Sequence, residues 1–167
     1  MKVIKAKTAG FCFGVKRAVD TVYKQVDTKC GQIYTYGPII HNEEVIKDMR
    51  DKGVIVLRSE EDLDMISQGT VIIRSHGVEK RIYEKIEQKG LRIVDATCPF
   101  VKKIHNIVSE KSGEGFHIII IGNPEHPEVV GIKGWAKDNV TVIQSAEDAE
   151  CFTADRKEKI CIVSQTT

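Results

Sequence analysis

Apolar positions along this chain recur with two periods, and the two periods take turns. Val3–Lys7 alternates apolar and polar residues, the pattern of a half-buried strand. Val15–Lys29 places Val15, Ala18, Val19 and Val22 at helical spacing and ends near Gly31. Gln32–Tyr36 is β-rich and closes on Gly37-Pro38. Asn42 is an N-cap for a helix through Asp51, which Gly53 stops. Val54–Leu57 predicts a strand, Ser59 caps a short helix over Glu60–Ser67, and Thr70–Arg74 predicts another strand. Val78–Lys89 reads as a helix with Gly90 after its end, and Leu91–Val94 as a strand. Pro99 suits the first turn of a helix through Ser112, whose Val101, Ile104, Ile107 and Val108 share one face. His117–Ile121 carries four isoleucines in a row, as in a parallel strand buried on both faces. Glu128–Lys137 is helical, Val140–Ile143 a strand, Ser145–Cys151 a short capped helix and Ile160–Val163 a last strand. Strands alternating with helices predict βαβ units, so the fold class is α/β with short parallel sheets flanked by helices.

The residues just beyond each strand are the ones with chemistry to offer. In open α/β sheets, ligands bind outside the carboxyl ends of the strands. Here those ends carry Cys12, His41, His76, Cys98, then His126 and Glu128 together, and finally Thr166-Thr167. Six strands thus deliver two cysteines, three histidines, a glutamate and a threonine to positions that can converge.

Cys12 lies between Gly10 and Gly14 at the start of a helix, with Lys16 and Arg17 in its first turn. The helix dipole and the two cations favour a thiolate there. Cys98 lies between Thr97 and Pro99 at a similar strand-to-helix junction. Two such thiols suggest a shared metal centre, either zinc or an iron–sulfur cluster. His41, His76 and His126 sit in loops rich in Gly, Pro and Asn. They suit a metal, or a phosphate to which their rings donate, and Ser75 and Asn42 add neutral donors. In His126-Pro127-Glu128 the proline presents two ionisable groups from one rigid turn, and Glu128 is placed to donate or relay a proton. Glu125 ranks below it. Thr166 or Thr167 can orient the same reacting hydroxyl. His105 and His117 read as structural, as do Cys30, Cys151 and Cys161, which lack the glycine and helix-start setting of the other two cysteines.

Composition narrows the class without naming a function. Apolar residues make up 41% and charged residues 29% of the 167, with a net charge of +1. That balance suits an ordinary globular chain and offers no field for nucleic acid or membrane. No apolar run approaches the roughly 18 residues of a membrane span. Met1–Ala9 has no apolar core of a secretory signal, so a cytoplasmic setting with reduced thiols is expected.

The ordered motifs Gly-Phe-Cys12-Phe-Gly-Val-Lys-Arg-Ala, Ile-His41-Asn, Ser-His76-Gly-Val, Asp-Ala-Thr-Cys98-Pro, Gly-Asn-Pro-Glu-His126-Pro-Glu128-Val and Ser-Gln-Thr166-Thr closely resemble the N-terminal portion of the 4-hydroxy-3-methylbut-2-enyl diphosphate reductase (IspH, LytB) family. The resemblance runs over essentially the whole chain. It implies an iron–sulfur enzyme of the methylerythritol phosphate route to isoprenoids. That enzyme removes the allylic hydroxyl of its substrate with two electrons and two protons, giving isopentenyl and dimethylallyl diphosphate. By matching motif, Cys12 and Cys98 are implied as two of three ligands to a 4Fe-4S cluster. His41, His76 and His126 are implied as diphosphate contacts, Glu128 as the proton donor and Thr166 as the hydroxyl-side threonine. An electron donor such as ferredoxin or flavodoxin is the implied partner.

The family fold has three similar α/β domains around the cluster. Residues 1–97 match the first, with 1–12 expected to pack on the third, and 98–167 match a truncated second. The family's third cysteine and its Ser/Asn-rich diphosphate segment do not occur in these residues. Two other classes stay open at this point. One is a non-catalytic phosphate-binding or thiol-redox module, or an inactive fragment of the reductase; the other is a zinc hydrolase built on His126 and Glu128.

Overall fold

The computed structural model describes residues 2–28, 31–155 and 157–166; Cys30 and Thr167 lie outside them. Its elements run α1 (Phe13–Thr28), β1 (Ile33–Tyr36), α2 (Glu43–Asp51), β2 (Ile55–Leu57), α3 (Glu60–Asp64), β3 (Thr70–Ile73), α4 (Lys80–Gln88) and β4 (Arg92–Asp95). They continue through α5 (Pro99–Gly113), β5 (His117–Ile121), α6 (Pro127–Lys133), β6 (Val140–Ile143), α7 (Ala146–Cys151) and β7 (Ile160–Ser164).

The strands form two parallel sheets, ordered β2-β1-β3-β4 and β6-β5-β7. The fold class read from the periodicity therefore holds. In the first sheet, β3 is buried along its whole length. Ile72 packs with Ala18, Val22 and Met49 of α1 and α2, while Val71 and Ile73 pack with Leu63, Ile82 and Ile86 of α3 and α4. Helices on both faces explain why this strand reads as an unbroken apolar run. In the second sheet, Ile118 and Ile120 of β5 pack on Val108 of α5 and on Val129 and Ile132 of α6.

Each sheet reverses its strand order once among the described residues. In the first sheet β2 lies on one side of β1, and β3 and β4 on the other. In the second, β6 and β7 flank β5. Loops leaving the strands at such a reversal part to opposite faces and open a crevice. The crevices here are bounded by the loops after β1 and β3, and by those after β5 and β7.

The first expected strand does not form. Val3 and Ile4 are 80% and 78% exposed, and no strand pairs with 3–7 among the described residues. Alternation makes a strand only where a neighbour supplies the ladder. Several expected boundaries also move. The helix α4 begins at Lys80 rather than Val78, because Glu79 is extended at φ −61°, ψ 150° and Val78 and Glu79 lie against α6 and its C-cap. The helix α6 stops at Lys133, not Lys137, with Gly134 as its C-cap. The helix α3 ends at Asp64. All three expected side-chain caps form: Asn42 Oδ1 accepts from Val45 N at 3.1 Å, Ser59 Oγ from Asp62 N at 3.4 Å and Ser145 Oγ from Asp148 N at 3.1 Å.

Candidate functional site

Both candidate cysteines stand at helix starts. The Cys12 carbonyl accepts from Lys16 N at 2.9 Å, just before α1, and Cys98 is the N-cap residue of α5. Cys12 is exposed and Cys98 half-buried; both thiols are free, as are those of Cys151 and Cys161. A disulfide among these four is thereby set aside. The Cys98 thiol lies against Gly14, two residues beyond Cys12. A Cβ there would fall 2.6 Å from Cys98 Sγ, so only glycine leaves the sulfur its place.

The cations expected beside Cys12 have other partners. Lys16 pairs with Asp20 at 2.8 Å. Arg17 reaches across to donate to the carbonyls of Thr97 (2.8 Å) and Asp95 (3.2 Å). It therefore braces the loop that carries Cys98 against the helix that Cys12 opens, a role invisible in its local sequence.

The three histidines converge from three loops. Ring centroids of His41 and His76 lie 4.9 Å apart, those of His76 and His126 5.5 Å, and those of His41 and His126 6.5 Å. One nitrogen from each ring falls within 4.8 Å of the others. Ser75 joins the loops: its amide and hydroxyl both donate to the Ile39 carbonyl, at 3.3 and 3.0 Å, and its own carbonyl accepts from Cys98 N at 2.9 Å. Ser75 is thus a buried structural link between the His41, His76 and Cys98 loops, rather than the free donor its type suggests. Asn42 likewise uses its side-chain oxygen to cap α2.

Hydrogen bonding separates anion from metal at His126. Its Nδ1 accepts the Glu128 amide at 3.2 Å. The neutral ring therefore carries its proton on Nε2 and presents a donor. A metal at Nε2 would require that proton to move to Nδ1, at the cost of the amide bond. The arrangement favours an anion over a zinc ion.

Glu128 is fully buried at the second residue of α6. Its Oε1 accepts from both the amide and the hydroxyl of Thr166, each at 2.8 Å. The Thr166 loop after β7 is tied to the loop after β5 a second time, through Gln165 Oε1 and Asn123 N at 3.1 Å. Glu125 is exposed, and its amide donates to Asn123 Oδ1.

Among the remaining histidines, His117 bonds Glu158 and Thr141 at 2.9 and 2.8 Å, a structural role as expected. His105 is buried and its Nε2 has no hydrogen-bond partner. Cys161 packs against the second core, while Cys151 is exposed at the end of α7.

Burial pulls His76 down to about 4, helped by the positive charges that His41, Arg74 and His126 can carry. Burial also lowers His105 to about 4, against Asp95 and Glu128, which pull it up. At neutral pH both rings are uncharged. The unfolded chain takes up protons below about 6.5, where the folded rings do not, so stability is full above that pH and falls toward pH 4. Each ring adds a slope of about 1.4 kcal/mol per pH unit in this window. Urea unfolding at pH 7 and pH 5 should show the loss, and His105→Phe should remove one ring's share of it. An unchanged slope in that variant would show that His105 does not contribute.

Parallel sheets whose switch-point loops bring three imidazoles within reach of one another and set a buried carboxyl–hydroxyl pair beside them, with two free thiols at helix starts, define an α/β protein with a polar site outside its strand ends. The chain belongs to the LytB protein family, whose profile matches residues 3–167. It is 48% identical over its whole length to the 4-hydroxy-3-methylbut-2-enyl diphosphate reductase of Caldanaerobacter subterraneus subsp. tengcongensis, covering 58% of that protein. It is 43% identical to the reductase of Clostridium acetobutylicum, covering 99% of this chain and 26% of that one. The solved E-1-hydroxy-2-methyl-but-2-enyl-4-diphosphate reductase of Plasmodium falciparum superposes with a TM-score of 0.90 at 32% identity, over 96% of this chain and 50% of that one. A second solved structure, described as (E)-4-hydroxy-3-methyl-but-2-enyl diphosphate reductase, the terminal enzyme of the non-mevalonate pathway, superposes with a TM-score of 0.81 at 38% identity. The chain thus spans little more than half the length of relatives such as the Caldanaerobacter reductase. No helix among the described residues is long and apolar enough to cross a membrane.

Proposed function

We propose that this chain carries the diphosphate-binding and proton-donating part of a 4-hydroxy-3-methylbut-2-enyl diphosphate reductase of the methylerythritol phosphate pathway. The observation that carries the reading is the convergence of His41, His76 and His126 beside the Glu128–Thr166 pair. His41, His76 and His126 donate to the diphosphate, His126 through Nε2. Thr166 orients the allylic hydroxyl, and Glu128 supplies a proton from the same end. The balance is two electrons and two protons per turnover. The C–O bond breaks, one proton leaves with the hydroxyl as water, and the other ends on carbon.

Free thiols at two helix starts, one seated against a glycine that leaves it room, suit a thiolate-ligated iron–sulfur cluster. Cys12 and Cys98 would hold a 4Fe-4S cluster together with a cysteine from outside this chain, and the cluster would supply the electrons. A small electron carrier such as ferredoxin or flavodoxin would deliver them in the cytoplasm. We divide the chain at 97/98 into a first unit and the beginning of a second, each with its own sheet.

Calorimetric titration of the chain with inorganic pyrophosphate tests the anion site. His76→Ala and His126→Ala should each weaken binding by about 10–100-fold, the worth of a hydrogen bond to a charged group. Binding that is absent, or indifferent to both substitutions, would overturn the reading.

A further inference from the structure

We infer that the stacked pair His105 and Trp135 positions His76, so that the second unit sets the geometry of an anion site whose other histidines lie on separate loops. This rests on the diphosphate reading above. The loop from Arg74 to Glu79, which carries His76, is held from the side of the second sheet. The rings of His105, in α5, and Trp135, just beyond α6, lie nearly parallel, with centroids 5.1 Å apart and 17° between planes. The indole N–H of Trp135 donates to the Val78 carbonyl at 2.9 Å. Tyr83 of α4 sets its edge on Trp135 at 5.7 Å, and its hydroxyl lies 3.2 Å from Thr97 Oγ1, next to Cys98.

Space at this junction is used up. Gly77 has φ +72°, and a Cβ on it would lie 2.5 Å from His105 Cε1. A Cβ on Gly134 would lie 2.4 Å from Glu79 Cβ, and the Gly134 carbonyl accepts from Lys80 N at 3.4 Å. The backbone on both sides of Val78 is therefore seated directly on α5 and the end of α6. His126 is the N-cap of α6 and Glu128 lies in its first turn, so the same contact that fixes the His76 loop also fixes its distance from His126. His105 and Trp135 act through His76 and are positioning residues.

His105 is costly as mere filling. A buried imidazole nitrogen without a hydrogen-bond partner carries a desolvation cost that an apolar side chain would not. The His105 ring lies so close to Gly77 that it limits how deeply the loop sits.

The test uses two variants and two readouts. Trp135→Phe keeps an aromatic ring on His105 but removes the bond to Val78; His105→Ala removes the support under Gly77. The first readout is the nuclear Overhauser contact between the His76 and His126 rings, which needs no ligand. The second is the affinity for inorganic pyrophosphate. Both variants should lose most of the ring contact and bind pyrophosphate about tenfold more weakly, the loss of one hydrogen bond to a charged group. The amide signals of β2, at the far edge of the first sheet, should stay unchanged. An intact ring contact in both variants overturns the inference, and so does a lost contact with unchanged pyrophosphate affinity. If the unsubstituted chain binds no pyrophosphate, the diphosphate reading falls, and the ring contact alone decides whether the stack positions His76.

Discussion

Replacing Glu128 with glutamine lowers turnover by about 100–10,000-fold in an intact reductase that contains this sequence, the range a positioned general acid contributes. The substitution is close to isosteric. The glutamine carbonyl oxygen can still accept the Thr166 amide and hydroxyl, which now meet at Oε1 with 2.8 Å bonds. The loss is confined to the carboxyl's capacity to give up a proton. Substrate affinity should therefore change little while kcat collapses, and iron content should stay constant. Steady-state kinetics with a chemical reductant would measure both. Unchanged kcat would remove Glu128 from the proton path. A parallel loss of thermal stability would assign the carboxyl to the packing of α6 on the loop after β7 instead.

The second large effect is expected where intrinsic propensity and tertiary packing oppose one another. Alanine is the better helix former by about 1 kcal/mol, so Gly14→Ala near the start of α1 should hold or raise the unfolding temperature. The new methyl would stand 2.6 Å from Cys98 Sγ and 3.2 Å from its Cβ. The thiol is the easier group to move, and it turns away. Disturbing the seat of a metal ligand costs about 10–100-fold in affinity. In an intact reductase reconstituted without oxygen, iron and acid-labile sulfide per chain should fall toward the level of the Cys12→Ser/Cys98→Ser variant while the fold is retained. Full iron content in Gly14→Ala would mean that this contact has no bearing on the cluster.

Most of the fold is legible in the sequence because its signals are local. The four-isoleucine run of β5, the caps Asn42 and Ser59, and Pro99 at the first turn of α5 are each decided within a few residues, and each forms as expected. Local reading fails where a distant partner decides. The alternation at 3–7 finds no strand beside it. Val78 and Glu79 have the pattern of a first helical turn, yet they are drawn out against α6 by the Trp135 bond and the absence of a Cβ on Gly134. By type alone, Arg17 and Ser75 are a cation and a hydroxyl near ligands. The fold instead aims both at backbone carbonyls, in loops far along the chain.

The candidate site divides the same way. Its residue types and their order along the chain are covalent facts. The rule that α/β sheets gather ligands at their strand ends is enough to nominate His41, His76, Cys98, His126, Glu128 and Thr166 from sequence, whereas the strand expected before Cys12 does not form and only its helix-start setting marks it. Their charge states and directions are not covalent facts. His76 is neutral at pH 7 because the interior withholds water from it, His126 presents Nε2–H because Glu128 N–H occupies the other nitrogen, and Glu128 Oε1 is turned to the amide and hydroxyl of Thr166. Burial and hydrogen-bond partners come from chain segments brought together only by packing. Sequence therefore specifies which chemistry this protein carries, and packing selects which atoms present it.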